Sequence, residues 1–281
     1  MPAGLSVHAG LNTVDPARYE GWDGALLACE NDARDMARIA RSAGFSETVL
    51  MTADATVDNL TAALREAAVT LAPDDILLLT YSGHGGQVPD VTGSDDEPDA
   101  LDETLVLYDR QFLDDELHRE LRGFAEGVRI LVLLDCCHSG SGTELPGAPL
   151  PETGIRMMPV PRQRQIYERD RGFFEELQRS LEAAAEEAAG PFGEARGARE
   201  AREASAILIS ACQDNQLASD GPVNGAFTGA LLDVWQDGAF RGGYRSFHRA
   251  IQRRLPPTQS PNLYLTGSPA PAFLRQRPFT I

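Results

Sequence analysis

A histidine and a cysteine carry the chemistry that the sequence suggests first. His84 lies in the run Tyr-Ser-Gly-His-Gly, and Cys137 lies in the run Asp-Cys-Cys-His-Ser-Gly. Each follows a short apolar run that predicts a buried strand, and adjacent strands of a parallel sheet bring their carboxyl ends to one crevice. A thiol gains from a nearby base, because its free pKa of about 8.5 leaves only a few per cent as thiolate at neutral pH. The pair therefore favours a hydrolase with a cysteine nucleophile.

The elements that would position these two residues follow from the apolar periodicity. Short apolar runs predict strands, and apolar residues at helical spacing predict helices between them. The predicted strands cover 5–11, 47–51, 75–81, 129–134, 205–210 and 262–266, with a brief pairing over 105–108. The predicted helices cover 24–43, 56–71, 114–124, 173–189, 227–240 and 244–255. This alternation predicts an α/β fold, with a parallel sheet and helices on both faces.

Composition narrows the possible functions. The chain of 281 residues has a net charge of −17 and is 42% hydrophobic, which permits a core and argues against nucleic acid and anionic membranes as partners. All 25 basic residues are arginine, so a lysine nucleophile is excluded. No stretch approaches the roughly 18 apolar residues of a membrane span, and the N-terminus lacks a signal-peptide pattern. We therefore expect a cytoplasmic protein without an organic cofactor, with a monomer favoured.

Four motifs together resemble those of the metacaspases, a group within the caspase-like cysteine peptidases. Two are the runs around His84 and Cys137, and the others are Ser-Ala-Cys-Gln at 210–213 and Asn-Gly-Ala-Phe-Thr at 224–228. The resemblance covers most of the chain. It implies a caspase-like fold with a mainly parallel six-stranded sheet. It also implies an endopeptidase that cuts protein or peptide substrates after Arg or Lys, often with Ca²⁺ dependence.

The same resemblance divides one caspase domain into parts. Residues 1–140 correspond to the large-subunit-like part with the His/Cys dyad, and 205–281 correspond to the small-subunit-like part. Between them, 141–204 is a charged insertion that interrupts the strand–helix alternation. It is rich in arginine, so an Arg-directed peptidase could process itself there; a charged linker or a lid helix is the open alternative. The arginines of this insertion are Arg156, Arg162, Arg164, Arg169, Arg171, Arg179, Arg196, Arg199 and Arg202.

Catalytic roles can be carried over by motif position. The family pattern Asp-x-Cys-His-Ser selects Cys137 as nucleophile, with His84 as the general base and later the acid for the leaving amine. The resemblance implies that the backbone N–H groups of Gly85 and Cys137 donate hydrogen bonds to the developing oxyanion. A buried structural thiol is the alternative for Cys137, and His138 is an alternative base. Cys136 should point to the opposite side of its strand, as a core thiol.

A pocket for a basic side chain is also implied. Cys29, Asp32, Ser82 and Asp135 match the family positions that line it. Two carboxylates suit a guanidinium, which favours planar bidentate contacts. The alternatives are a solvated helix face for Asp32 and a strand-end hydrogen-bond anchor for Asp135.

Calcium binding is the next expectation. Ca²⁺ takes six to eight oxygen ligands and favours clustered carboxylates. Asp102, Asp114, Asp115 and Glu144 match the metacaspase ligand positions, although Glu144 stands where aspartate is more usual. The acidic run at 95–97 lacks the pattern of an EF-hand and is predicted to be a solvated loop.

Two other classes of function compete with the peptidase. The first is a catalytically silent caspase-like scaffold that signals by binding, which would require a broken pocket. The second is a zinc protein that uses Cys136, Cys137, His138 and Cys212. Structural zinc sites normally use spaced pairs of ligands, and this cluster lacks that spacing.

Overall fold

The computed structural model describes residues 2–93, 100–137, 154–189, 203–213, 216–268 and 270–281. Its strands are β1 (Gly4–Gly10), β2 (Ser46–Met51), β3 (Ile76–Ser82), β4 (Gly85–Pro89), β5 (Leu101–Val106), β6 (Gln111–Leu113), β7 (Arg129–Asp135), β8 (Ser205–Ser210) and β9 (Asn262–Thr266). Its helices are α1 (Cys29–Ser42), α2 (Val57–Thr70), α3 (Asp114–Arg122), α4 (Val160–Ala189), α5 (Ala226–Trp235), α6 (Tyr244–Gln252) and α7 (Pro271–Arg275). In these ranges no helix combines the length and the apolarity needed to cross a bilayer.

The main sheet has the strand order β2-β1-β3-β7-β8-β9. Its first five strands run parallel, and β9 pairs antiparallel with β8. The predicted six-stranded, mainly parallel sheet is therefore confirmed. A second sheet, antiparallel β4-β5-β6, lies beyond the carboxyl end of β3. Of the strands in this small sheet, the sequence analysis predicted only part of β5, as the brief pairing over 105–108.

Alternating side chains of the buried strands face two separate cores. Leu78 of β3 and Leu131 of β7 lie in a cluster with Met36 of α1 and with residues of α5 and α6. Leu77, one residue earlier than Leu78, lies in the other cluster with Leu64 of α2. This follows from the twofold alternation of side chains along a strand, and it places helices on both faces.

Two predicted helix starts were wrong. The first helix begins at Cys29 rather than at 24, because Gly24 has a positive φ of +57° and residues 24–28 form a loop against β1 and β3. Helix α4 begins at Val160 rather than at 173, and it bends at Asp170. In its first half, Ile166 and Tyr167 pack into two buried apolar clusters. The prediction missed this half because the local sequence is highly charged and the packing partners are distant in sequence.

Candidate active site

The register of two neighbouring strands places the histidine and the cysteine side by side. Ser82 of β3 pairs with Asp135 of β7 as the last pair in their ladder. His84 and Cys137 each follow two residues later, at the carboxyl edge of the main sheet. The register therefore brings the two motifs to the same edge of the sheet.

His84 is a buried and oriented imidazole. Its Nε2 lies 3.0 Å from the carbonyl oxygen of Gly24, and its ring centroid lies 4.9 Å from that of Trp22. Because a carbonyl oxygen only accepts, Nε2 carries the proton of this contact and Nδ1 keeps a lone pair. Burial lowers the pKa of His84 to about 4, against the opposing effect of the Gly24 carbonyl. The ring is therefore a neutral base at neutral pH.

An arginine of the same chain fills the acidic pocket. The Arg156 guanidinium is fully buried, with Nη2 at 2.6 Å from Asp32 Oδ2 and Nη1 at 2.9 Å from Asp135 Oδ2. Nη1 also donates to Ser82 Oγ at 2.7 Å. A third carboxylate, that of Asp220, lies 2.9 Å from Nη2 and 3.3 Å from Nε. The three predicted polar residues thus line a pocket that binds a guanidinium.

The predicted carboxylates are themselves held by the loop before α5 and its first turn. Asp32 Oδ1 accepts hydrogen bonds from the Asn224 side chain at 2.9 Å and from the Gly225 amide at 3.1 Å. Asp135 Oδ2 accepts from the Thr228 amide at 3.0 Å and from its hydroxyl at 2.7 Å. Burial, with Asp135 nearby, raises the pKa of Asp32 to about 6, and Arg156 opposes this. The alternative of a solvated face is wrong for Asp32, which is buried, whereas Asp135 both contacts Arg156 and anchors Thr228 from the end of its strand.

Cys29 lies beside this pocket as a buried thiol at the start of α1. Burial raises the pKa of Cys29 to about 12, and the Arg156 charge acts in the opposite direction. The thiol is therefore neutral and lines the pocket without adding charge.

The backbone of Arg156 is bound as closely as its side chain. Its carbonyl oxygen accepts two hydrogen bonds of 3.0 Å, from the amides of Gly85 and Cys137. These are the two donors that the resemblance implied for an oxyanion. The Arg156 amide donates to the Ala218 carbonyl at 3.0 Å, and the Met158 amide donates to the Gly85 carbonyl at 2.8 Å. The Arg156 peptide group thus lies in a cradle built from both strand ends.

The sulfur of Cys137 contacts Ala218, the residue that also binds the Arg156 peptide group. It accepts the Ala218 amide at 2.5 Å. Cys136 packs in the core on the opposite face of the sheet from Cys137, as predicted. Cys212 lies near both adjacent thiols: its Sγ is 3.6 Å from the Cys136 carbonyl oxygen, and a hydrogen bond with Cys137 raises the pKa of Cys212.

Three functional features escaped the sequence analysis. Asp220 carries no motif, and it enters the pocket because its Oδ2 accepts the Leu27 amide at 2.7 Å. Gly225 lies so close to the Arg156 guanidinium that an added Cβ would be 2.4 Å from Cζ. Arg156 is one of the nine arginines of the insertion, and no local pattern in the sequence distinguishes it from the others. The motif at 224–228 contains Gly225 and could have indicated it, but the sequence analysis assigns no role to that motif.

The predicted metal ligands do not gather in the described part of the chain. Asp102 is buried in β5, where its Oδ2 accepts the Gln178 side chain of α4 at 2.7 Å. Asp114 and Asp115 open helix α3, and Glu144 lies outside the described residues, as do 95–97 and His138. Among the described residues no three acidic, histidine or cysteine side chains group as metal ligands. We therefore derive no step through calcium or zinc, and calcium stays a prediction.

Comparisons with known proteins identify the family of the chain. A family model described as "Caspase domain" matches residues 14–277. Metacaspase-1A of Aspergillus fumigatus is 38% identical over 143 residues, which is 46% of this chain and 34% of that protein. Metacaspase-1 of Mycosarcoma maydis is 36% identical over 142 residues, 46% of this chain and 35% of that protein. The matched part thus spans about a third of the length of these curated relatives.

Solved structures extend the comparison. The crystal structure of protein GSU0716 from Geobacter sulfurreducens is 47% identical, covers 100% of this chain and 99% of its own, and has a TM-score of 0.85. Caspase-1 from Spodoptera frugiperda covers 95% of this chain and 87% of its own at 10% identity, with a TM-score of 0.51. The latter likeness shows the fold alone.

The mainly parallel six-stranded sheet defines a caspase-like fold. Because the family model covers nearly the whole chain, the protein belongs to the caspase domain family, peptidase family C14. Within it the chain is metacaspase-like, since its curated relatives are metacaspases.

Gly225 forms one wall of the pocket that holds Arg156, so a larger side chain there should change how often the pocket is occupied. Gly225→Ala should expel the Arg156 side chain, because overpacking costs about 1–3 kcal/mol and would shift the docked segment toward release by about 5- to 150-fold. Cys137, fully buried in the docked state, should then react correspondingly faster with iodoacetamide. Mass spectrometry of the alkylated peptides measures this rate residue by residue.

Gly229→Ala is the matched control. An added Cβ at Gly229 meets its nearest neighbour at 3.8 Å, an ordinary contact, so Cys137 labelling should stay at the wild-type rate. Equal labelling rates in the two variants would contradict the assignment of Gly225 as a pocket wall.

Proposed function

We propose that this protein is a cysteine endopeptidase that cuts polypeptides after arginine, with Cys137 as nucleophile and His84 as acid–base residue. One observation carries the proposal: an arginine with its side chain in the acidic pocket has its carbonyl oxygen on the amides of Gly85 and Cys137. A peptide substrate would need these same contacts at the residue preceding the cut bond. A silent scaffold finds less support, because pocket, donors, thiol and imidazole are assembled together.

The chemistry follows from this placement. The Cys137 thiolate attacks the arginine carbonyl carbon, and the developing oxyanion takes the two hydrogen bonds of the Gly85 and Cys137 amides. Preorganised donors of this kind are each worth about 10²–10³ in rate. The Ala218 amide donates to Sγ and fixes the position of the sulfur.

His84 moves the proton. With Nε2–H bound by Gly24, Nδ1 is the nitrogen free to accept the thiol proton and to deliver it to the leaving amine. The carbon–nitrogen bond then breaks and leaves a thioester on Cys137, which water hydrolyses with His84 as base. Trp22 covers the ring and restricts its orientation.

Arginine should be preferred to lysine. The guanidinium uses Nε, Nη1 and Nη2 against three carboxylates and Ser82. A lysine ammonium is a single compact centre and cannot make these separated contacts at once. Lysine therefore remains a weaker substrate of the same pocket.

Removal of the proposed catalytic groups is the first test. Cys137→Ala and His84→Ala should each lower kcat for an arginyl peptide by about 10⁴-fold or more, as for other nucleophile–base pairs. Release of a fluorophore from a peptide with arginine before the scissile bond measures this. Cys136→Ala, the adjacent thiol on the other face of the sheet, should retain activity. Turnover by the Cys137 variant at the wild-type rate would refute the nucleophile.

Asp220 gives a second test, aimed at specificity. Asp220→Asn should lower kcat/KM for an arginyl peptide by about 10- to 100-fold, since a hydrogen bond to a charged group contributes about 1.5–3 kcal/mol. The loss for the matching lysyl peptide should be smaller, because fewer contacts reach Asp220. Equal losses for both peptides would show that Asp220 does not discriminate between them.

Acid should weaken recognition of arginine. With a pKa of about 6 for Asp32, lowering the pH through 6 neutralises one pocket carboxylate and removes its attraction for the guanidinium. The ratio of kcat/KM for arginyl to citrullyl peptide should therefore fall below about pH 6, since citrulline is a neutral isostere and cancels titration of the catalytic pair. Asp32→Asn should abolish this pH dependence. A ratio that is flat in the wild type would contradict the pocket role of Asp32.

A further inference from the structure

We propose that a cleft between α6 and α7 binds a compact anion that carries two or more phosphate groups. The cleft has a volume of about 510 Å³, which lies within the range of about 300–1,000 Å³ typical of small-molecule sites. Arg245 and Arg249 of α6 line one wall, and Leu274 and Arg275 of α7 line the other. The inference goes beyond the proposed peptidase function and does not depend on it.

The charge of this region is opposite to that of the chain as a whole. All 42 acidic residues lie at or before Asp237, and the positions from 238 to 281 contain no Asp or Glu. The same positions contain Arg241, Arg245, Arg249, Arg253, Arg254, Arg275 and Arg277. In a chain with a net charge of −17, the part that builds the cleft is therefore strictly basic, and such segregated charge favours an anionic ligand.

The arginines of the cleft are not used by the fold. Among the residues that the structure describes, no ion pair or side-chain hydrogen bond involves the guanidinium of Arg245, Arg249 or Arg275, and all three side chains are exposed. Arg277 provides a contrast, because its guanidinium lies 4.8 Å from the ring centroid of Trp235 and donates to the carbonyls of nearby loop residues. The three cleft arginines are therefore available to a ligand, whereas Arg277 supports the fold.

The start of α6 carries positive charge where a helix favours negative charge. Its first turn contains Arg245 and no acidic residue, although the partial positive charge at the amino end of a helix attracts anions. Arg249 lies one turn later, and like charges four residues apart repel each other. An anion bound between these side chains would relieve both unfavourable effects. Phosphate is well suited, since guanidinium groups bind its oxygens in a bidentate manner.

Gly243 brings the two walls of the cleft together. It directly precedes α6, and an added Cβ would lie 2.5 Å from the carbonyl oxygen of Leu274 and 2.9 Å from Cα of Arg275. Only a glycine therefore lets α6 begin against the backbone of α7. Ser246 Oγ donates to the Gly243 carbonyl at 2.7 Å and stabilises this turn. Because the arginines lie on both walls, a ligand needs more than one phosphate group to contact them all.

The cleft lies at the opposite end of the main sheet from Cys137. Gln276, which follows Arg275, accepts a hydrogen bond of 2.7 Å from the side chain of Arg129. Arg129 is the first residue of β7, and Cys137 comes two positions after its last residue, Asp135. A strand of this length spans roughly 20 Å. A ligand in the cleft would therefore not contact the proposed catalytic groups.

Isothermal titration calorimetry of the full chain with sodium tripolyphosphate tests the proposal. We expect one site per chain. Arg249→Gln and Arg275→Gln, one on each wall, should each weaken binding by about tenfold or more, because each removes charge-assisted hydrogen bonds to the ligand. Orthophosphate should bind at least about tenfold more weakly than tripolyphosphate, because it contacts one wall only. Tripolyphosphate should also raise the Tm of the wild type and not that of the double variant.

Arg253→Gln is the matched control. It makes the same change at an exposed arginine that follows α6 and does not line the cleft. At physiological salt, charges more than about 8 Å from a ligand are largely screened, so the Kd should stay within about twofold of the wild-type value. Cys137→Ala should bind tripolyphosphate as the wild type does, so failure of the peptidase proposal would leave this result unchanged.

Several results would overturn the proposal. They are the absence of tripolyphosphate binding, an equal loss of affinity in Arg253→Gln, and a loss in Arg249→Gln without one in Arg275→Gln. Orthophosphate that binds as tightly as tripolyphosphate would show that a single phosphate group suffices. Tighter binding of a glutamate-rich peptide, of a short DNA duplex or of vesicles that contain phosphatidic acid would assign the cleft to a macromolecule or a lipid headgroup instead.

Discussion

The burial of one guanidinium among three carboxylates is the interaction on which the site depends. An isolated charge in a protein interior costs several kcal/mol, and a buried ion pair is favourable only when its remaining hydrogen bonds are also satisfied. Besides contacting the guanidinium, each carboxylate accepts a hydrogen bond from a backbone amide. Asp32 accepts from Gly225, Asp135 from Thr228 and Asp220 from Leu27. The pocket still carries more negative than positive charge, so it is stable mainly when a cation occupies it. The occupancy of the pocket by Arg156 and the proposed specificity for arginine would therefore have one physical cause.

The parallel sheet supplies the rest of the geometry. Two strands that end in register at Ser82 and Asp135 bring a base and a thiol to the same edge without any direct connection between them. The loop between β8 and α5 then contributes Ala218 and Asp220, and α5 contributes Thr228. The proposed catalytic residues thus directly follow the ends of two strands, and the residues around the Arg156 guanidinium come from segments far apart in sequence. Caspase-1 from Spodoptera frugiperda shares this fold at 10% identity.

The small sheet and α4 connect the site to the charged insertion. The hairpin β4–β5 presents Gly85 to the Arg156 carbonyl with one end and receives Gln178 of α4 with the other. Asp102, a predicted calcium ligand, is bound by the same Gln178. Movement of α4 would therefore displace both the Gly85 amide and the Asp102 carboxylate, because one hairpin carries both groups.

The sequence alone determined the strands of the main sheet, their alternation with helices, and the pairing of His84 with Cys137, since apolar periodicity and short motifs encode local and adjacent features. It also indicated Asp32, Ser82 and Asp135 through a resemblance. Asp220 and Gly225 acquired their roles only from tertiary structure, because their partners lie 193 positions away, at Leu27, and 69 positions away, at Arg156. The selection of Arg156 among nine arginines was likewise tertiary. Which arginine enters a pocket depends on how α4 packs, and no local pattern records that packing.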